Sequence, residues 1–389
     1  MIEDSYVGWD RIEESFSLDP SRSYLNHGGF GVTPVPVQRA QQRLRDEVEA
    51  DPQRFFTRGL SDRLAHTRRT VAGFLGADPD GSALVTNVTT GVAVVLGSLN
   101  GRPGDEIVVT EHGYGAVSLA IAEAGARIRT VPVGLTTPDE EIVAAVLDAV
   151  DPARTRLVVL DLVASSTARR MPVEAVARGL RATGVPLLVD AAHAPGMLPM
   201  SIDALDADFV VGNLHKWAFA PRGTALLAVS PKWRSAMRTR VVSWAQDAGF
   251  PRHVEEHGTA DYTAWLAAPT GLFTLRTLDP ERVRRHNADL VGYGQRTVGA
   301  ALGLTAADLP DPGGPVAMRI VPLPERLAGT VESAVALRDR ISDELRTEVA
   351  VNPFRGRLLL RLAAQVYNRA EEYDRLAAAL PGLLATVTG

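Results

Sequence analysis

The chain has 389 residues, of which 46% are hydrophobic and 22% charged, with a formal net charge of −5. This predicts a soluble two-domain protein and disfavours nucleic acid or an anionic membrane surface as a partner. Cysteine is absent, so disulfides, thiolate metal sites and a cysteine nucleophile are excluded, and no metal site is expected. The opening Met1-Ile2-Glu3-Asp4-Ser5 is acidic and lacks an apolar stretch, and no apolar run reaches the roughly 18 residues that span a bilayer. Neither a secretory leader nor a membrane span is therefore expected, and the expected location is the cytoplasm.

In chain order, short β-like runs alternate with helical patterns. Strands are predicted at Ala83–Thr86, Glu106–Thr110, Arg127–Val133, Leu157–Asp161, Pro186–Asp190, Asp208–Val211 and Thr224–Val229. Helices are predicted between them at Gly91–Leu99, Ala116–Ala124, Pro138–Ala149 and Val173–Thr183. Such alternation specifies an α/β unit with a mostly parallel sheet covered on both faces. Ligands bind such sheets beyond the carboxyl ends of the strands. After the polar stretch Pro251–Asp261 the pattern changes to α+β. One long helical region runs from Tyr262 through Tyr293, followed by a strand at Val316–Val321 and a helix at Thr330–Leu345. Short strands at Glu348–Asn352 and Arg357–Leu362 precede a last helix, for which Asn368-Arg-Ala-Glu371 reads as a capping box. Leu309–Pro315, rich in Pro and Gly, marks a loop. The expected division is residues 1–25 as an N-terminal segment on the small domain, 26–255 as the large domain and 256–389 as the small C-terminal domain with its linking helix.

The chain has 39 arginines and only two lysines, Lys216 and Lys232. Lys216 follows an apolar run in Phe209-Val-Val-Gly-Asn-Leu-His-Lys216-Trp217. Arginine cannot replace a lysine that must act as a neutral amine, and Schiff-base chemistry needs such an amine. The second motif is Leu187-Leu-Val-Asp190-Ala-Ala-His193-Ala-Pro-Gly, an apolar strand ending in a carboxylate with a histidine three residues on. A carboxylate there can hold a pyridinium proton, and the histidine can bond a phenolic oxygen, both of which pyridoxal phosphate (PLP) requires. Thr86-Asn-Val-Thr-Thr90-Gly91, between strand and helix, offers hydroxyls and helix N-terminal amides to a phosphate. His215 is a further phosphate candidate. Tyr114, in Glu111-His-Gly-Tyr-Gly115, is a ring-stacking candidate, with His112 as the alternative.

In this order TNVTTG, EHGYGA, VDAAHAPG, GNLHKW and PRGTALL resemble the class V aminotransferase family of fold-type I PLP enzymes, most of all its isopenicillin N epimerase-like and cysteine desulfurase-related branch. Tyr24-Leu-Asn-His-Gly-Gly-Phe-Gly31 is similar to that branch's opening motif. His257-Gly-Thr259-Ala-Asp261 is similar to its inter-subunit phosphate loop. Leu358-Leu-Leu-Arg361-Leu, with Tyr367-Asn368, is similar to its substrate-carboxylate strand. The resemblance implies a homodimer with shared active sites. It implies Lys216 as the Schiff-base lysine, Asp190 on the pyridine nitrogen and His193 on the ring-hydroxyl side. Thr89, Thr90 and His215 are implied on the phosphate, joined by Thr259 from the partner subunit, with Tyr114 on the ring. Arg361 is implied on the substrate α-carboxylate, with Asn26 and His27 among the substrate contacts.

Two departures matter. Relatives often carry Asp-His after the strand that ends at Asp161, where this chain has Asp161-Leu162. The lack of cysteine also rules out a persulfide on the chain's own thiol. The expected activity is therefore β-elimination of the C–S lyase type on a cysteine conjugate in specialised metabolism such as antibiotic biosynthesis. Epimerisation of an amino acid in a peptide-like precursor is the alternative, and decarboxylative or oxidative deamination is a third option. A PLP-binding protein without catalysis is the alternative of another class.

Overall fold

The computed structural model describes residues 9, 11–99, 101–102 and 104–387. Twelve strands are found among them: β1 (Ser23–Tyr24), β2 (Ser82–Val85), β3 (Glu106–Thr110), β4 (Arg127–Val131), β5 (Thr155–Asp161), β6 (Leu187–Asp190), β7 (Phe209–Asn213), β8 (Ala225–Val229), β9 (Met318–Pro322), β10 (Thr347–Glu348), β11 (Ala350–Phe354) and β12 (Arg357–Ala363). Seven form the central sheet in the order β2-β8-β7-β6-β5-β3-β4. The run from β7 to β4 is parallel, and β8 is antiparallel to both its neighbours. The expected α/β class and mostly parallel sheet are observed.

Strand alternation explains how this sheet is covered. Val158 and Leu160 of β5 and Leu187 and Val189 of β6 enter one apolar core. Leu157 and Val159, with Leu188, enter the core on the opposite face. Period-two alternation sends successive side chains to opposite faces. Both faces are apolar because helices cover both, as parallel sheets require.

The second sheet, β11-β12-β9, is antiparallel. Its Leu358, Leu360 and Leu362 pack with Tyr373, Leu376 and Leu380 of the last helix, and Leu25 joins the same core. The N-terminal strand β1 pairs in parallel with β10.

Two predicted elements differ in detail. The expected single helix over 262–293 is two helices, Thr263–Thr277 and Pro280–Ala301. The break falls at Asp279, which takes φ 59° and caps the second helix through the N–H groups of Glu281 and Arg282. The last helix is Ala370–Ala385, and the carboxylate that reaches back is Glu372, accepting from the Arg369 N–H, in place of Glu371. Among the described residues no helix is long and apolar enough to cross a membrane.

Candidate active site

Lys216 sits in the turn after β7, between two segments that need glycine to approach it. Gly31 has φ 66°, and a Cβ there would lie 1.9 Å from the His215 carbonyl oxygen. Gly196 has φ 88°, and a Cβ there would lie 2.3 Å from the Trp217 carbonyl oxygen. Only glycine meets both demands without strain. The opening motif and the 190–196 turn are thereby pressed against the lysine loop from two sides.

The Lys216 Nζ lies 3.2 Å from His193 Nε2. The Trp217 indole N–H donates to His193 Nδ1 over a long 3.5 Å. With Nδ1 accepting, the proton of a neutral His193 resides on Nε2, which then donates to the lone pair of an uncharged Lys216 amine. Burial, then the nearby Arg361 charge, lowers the Lys216 pKa to about 7 against the opposing effect of Asp190. Burial also drives His193 well below the usual imidazole range. Both effects favour the neutral pair that the geometry describes.

Asp190 ends β6 and is buried. One of its oxygens accepts the Ala192 N–H at 2.9 Å. Burial raises its pKa, while that bond and the Lys216 charge hold it down. Asp161 ends the neighbouring β5 in register with Asp190. Burial, then the Asp190 charge, holds the Asp161 carboxyl well above the usual carboxylate range.

The phosphate candidates lie at the start of the helix Val88–Ser98. Asn87 is its N-cap, its side chain accepting from the Thr90 N–H at 2.8 Å, and the Val88 N–H donates to Asn213 of β7 at 3.0 Å. Thr90 and Thr86 hydroxyls are 2.7 Å apart, and Thr89 is exposed. This helix starts three residues before its predicted beginning because Asn87 supplies the cap. His215 Nδ1 donates to the Thr224 carbonyl at 3.0 Å, and burial lowers its pKa to about 4. Thr259 lies elsewhere in the chain's surface, exposed and lining a cleft of about 560 Å³ with Arg45, Phe56 and Asp261. The residues of the Lys216 turn and the 86–90 turn do not line that cleft.

Arg361, in the middle of β12, is buried. Its Nη1 donates to the Ser165 carbonyl at 2.5 Å and to the Ser165 hydroxyl at 3.2 Å, and its Nη2 donates to Asn26 Oδ1 at 2.9 Å. Its Nε has no partner. Among the described residues no carboxylate pairs with this guanidinium, and burial lowers its pKa to about 10. A buried cation without an anion is costly. The site is therefore built to receive one, and a planar guanidinium fork suits a carboxylate.

The remaining candidates have defined places. His27 is buried with both nitrogens engaged: Nε2 donates to the Lys216 carbonyl at 2.9 Å, and Nδ1 accepts from the Tyr367 hydroxyl at 2.9 Å. His112 is likewise held by Thr167 at 2.7 Å and the Val133 carbonyl at 2.8 Å, with its ring against Phe354. Tyr114 is half exposed at the N-cap of the helix Gly115–Glu123. Sequence reasoning passed over Ser165, which holds Arg361, and gave no role to Asp161. The latter had a signal: Val158-Val-Leu-Asp161 repeats the apolar-strand-to-carboxylate pattern of Leu187-Leu-Val-Asp190.

The residues present fit PLP. They offer a buried near-neutral amine, a buried carboxylate at the mouth of the sheet, a capped helix N-terminus and an unpaired guanidinium. The arrangement is that of an α/β enzyme with a lysine-bound carbonyl cofactor. The model of the class-V aminotransferase family matches residues 35–312, and the chain belongs to that family. It is a PLP-dependent enzyme. It is 31% identical to isopenicillin N epimerase of Streptomyces clavuligerus, over 96% of this chain and 98% of that protein. It is 30% identical to putative L-cysteine desulfhydrase 2 of Oryza sativa subsp. japonica, over 94% of this chain and 85% of that protein. A solved complex of the cystine C-S lyase C-DES with cysteine persulfide superposes with a TM-score of 0.80 at 21% identity, covering 95% of this chain and 99% of that one.

Proposed function

We propose that the protein eliminates the sulfur substituent of a cysteine conjugate. The observation that carries an amino-acid substrate is Arg361, a buried guanidinium with a free Nε and no carboxylate partner, whose charge acts on Lys216. Arg361 would fork onto the α-carboxylate and hold Cα near the Lys216 amine. PLP, when bound, supplies an electron sink for the bond broken at Cα. The Lys216 amine, near neutral, would take the Cα proton. The resulting ammonium would return a proton to the sulfur that leaves from Cβ. Asp190 would hold a proton on the ring nitrogen, His193 would bond the ring-hydroxyl side, and Tyr114 would cover the ring. Thr89, Thr90 and His215 would hold the phosphate.

Elimination is preferred because one base suffices for it, whereas inversion at Cα needs a second acid on the opposite face. His27 and His112 are both locked through both ring nitrogens. The L-cysteine desulfhydrase relatives support the same reading. Epimerisation stands second, supported by the isopenicillin N epimerases that match nearly the whole chain at 31% and 32% identity. We further propose a cytoplasmic homodimer in which Thr259 of each subunit completes the phosphate site of the other, a role in specialised metabolism, and a division into residues 1–25, 26–255 and 256–389. The Thr259 placement is supported by its exposure away from the Lys216 turn.

The test is incubation with S-substituted cysteines in deuterated water, followed by mass spectrometry. Elimination releases a thiol, pyruvate and ammonia. Recovered amino acid carrying deuterium at Cα with inverted configuration would replace this reading by epimerisation. A product lighter by carbon dioxide would replace it by decarboxylation.

A further inference from the structure

Asp161 and Asp190 end adjacent parallel strands as register partners. Adjacent strands lie about 4.8 Å apart. Both carboxylates continue the same face of the sheet, because Val159 and Leu188, two residues back on each strand, enter one apolar core. Both aspartates are buried. Asp161 has a roof as well: a Cβ on Gly113 would stand 3.9 Å from its Oδ2. Gly113 belongs to the loop that carries Tyr114, so Asp161 lies between that loop and Asp190.

Two buried carboxylates side by side cannot both ionise. The charged groups around them decide which keeps the proton. Asp190 accepts the Ala192 N–H, a bond that favours its charged form. On the other side of Asp161, Glu111 is turned away onto Arg355 at 2.8 Å, and His112 is held by Thr167 and Val133. No cation faces Asp161 from either neighbouring strand. The proton therefore belongs to Asp161 and the charge to Asp190: burial raises both carboxyls, the Asp190 charge raises Asp161 further, and the Ala192 N–H opposes the rise at Asp190.

We propose that Asp161 is a positioning residue: a neutral carboxylic acid that donates a hydrogen bond to Asp190, fixing the carboxylate that faces the cofactor's ring nitrogen. The proposal rests on the reading of Asp190 given above. The bond is present while Asp161 is protonated and is lost as pH rises through its raised pKa. Asparagine at this position is a permanent neutral donor, so it should replace the acid and remove the pH dependence.

The experiment measures loss of PLP from the holoenzyme during dialysis, followed by the absorbance of bound cofactor, between about pH 6 and pH 10. The wild type should lose cofactor faster toward the alkaline end. Asp161→Asn should match the wild type within about twofold at the acidic end and stay flat. Asp161→Ala should lose cofactor about tenfold faster than the wild type at the acidic end, the loss expected for one charge-assisted hydrogen bond, with the gap closing toward the alkaline end. Retention in Asp161→Asn as poor as in Asp161→Ala would overturn the proposal, as would wild-type behaviour in Asp161→Ala. Asp161→Asn decides the matter alone if the alanine variant does not fold. Asp190→Ala is measured alongside. Fast loss there with no effect at Asp161 rejects the Asp161 role only, whereas wild-type retention in Asp190→Ala rejects the Asp190 reading and this proposal with it.

Discussion

Arg361 places a positive charge where the fold gives it no negative one. Its three contacts are to a carbonyl, a hydroxyl and an amide oxygen. Arg361→Lys keeps the charge but loses the fork. Two charge-assisted bonds reduced to one costs about 1.5–3 kcal/mol, so the apparent substrate constant should rise by tens of fold in steady-state kinetics, with the cofactor spectrum unchanged. A decarboxylated amine that turned over as fast as the amino acid would remove Arg361 from this role. At Asp190, the asparagine variant should retain PLP but slow Cα deprotonation steeply, because an amide cannot stabilise a pyridinium. Hydrogen exchange at Cα, followed by mass spectrometry, measures that step. Lys216 has a pH signature. Its pKa is depressed to about 7 by burial, so below that value the amine is protonated and unreactive. The rate at which cofactor-free protein takes up PLP should rise about tenfold per pH unit up to about pH 7 and then level off. A profile still rising steeply to pH 10 would show an ordinary exposed lysine.

At the scale of elements, the site depends on what holds each loop at its strand end. The helix Arg252–Glu255 is anchored this way: Glu255 accepts the Leu84 N–H at 2.8 Å and pairs with Arg68 at 2.5 Å. Burial pushes the Glu255 carboxyl up to about 7 even though Arg68 opposes it. Arg68→Ala leaves that carboxylate buried without its cation and should destabilise the protein by about 3–5 kcal/mol in urea unfolding. A loss below 1 kcal/mol would show that the pair is dispensable. The strands of the central sheet were legible in the sequence, since a parallel sheet covered on both faces needs continuous apolar runs. Arg361, Lys216 and Asp190 were legible because each interrupts such a run with a residue of specific chemistry. The break at Asp279 had a signal that the helical pattern on both sides masked: Asp279-Pro280 is an N-cap residue followed by Pro at the first helical position. The Ser165–Arg361 contact was also hidden, because it joins residues 196 positions apart in the chain.

At the scale of the whole molecule, one chain supplies Lys216, Asp190, His193 and Arg361 but leaves Thr259 on a separate exposed cleft. A homodimer that exchanges Thr259 predicts complementation. Mixed dimers of Lys216→Ala with Thr259→Ala should recover activity, because one of the two sites then has both residues intact. Inactive mixed dimers, or a fully active monomer in sedimentation, would contradict the exchange. All of this depends on a covalent bond at one amine, and that bond can be fixed and mapped. Borohydride reduction of the purified holoenzyme, followed by peptide mass spectrometry, should place a pyridoxyl group on the peptide containing His215-Lys216-Trp217, with no adduct in Lys216→Ala or Lys216→Arg. An adduct on Lys232, or none at all, would contradict the account.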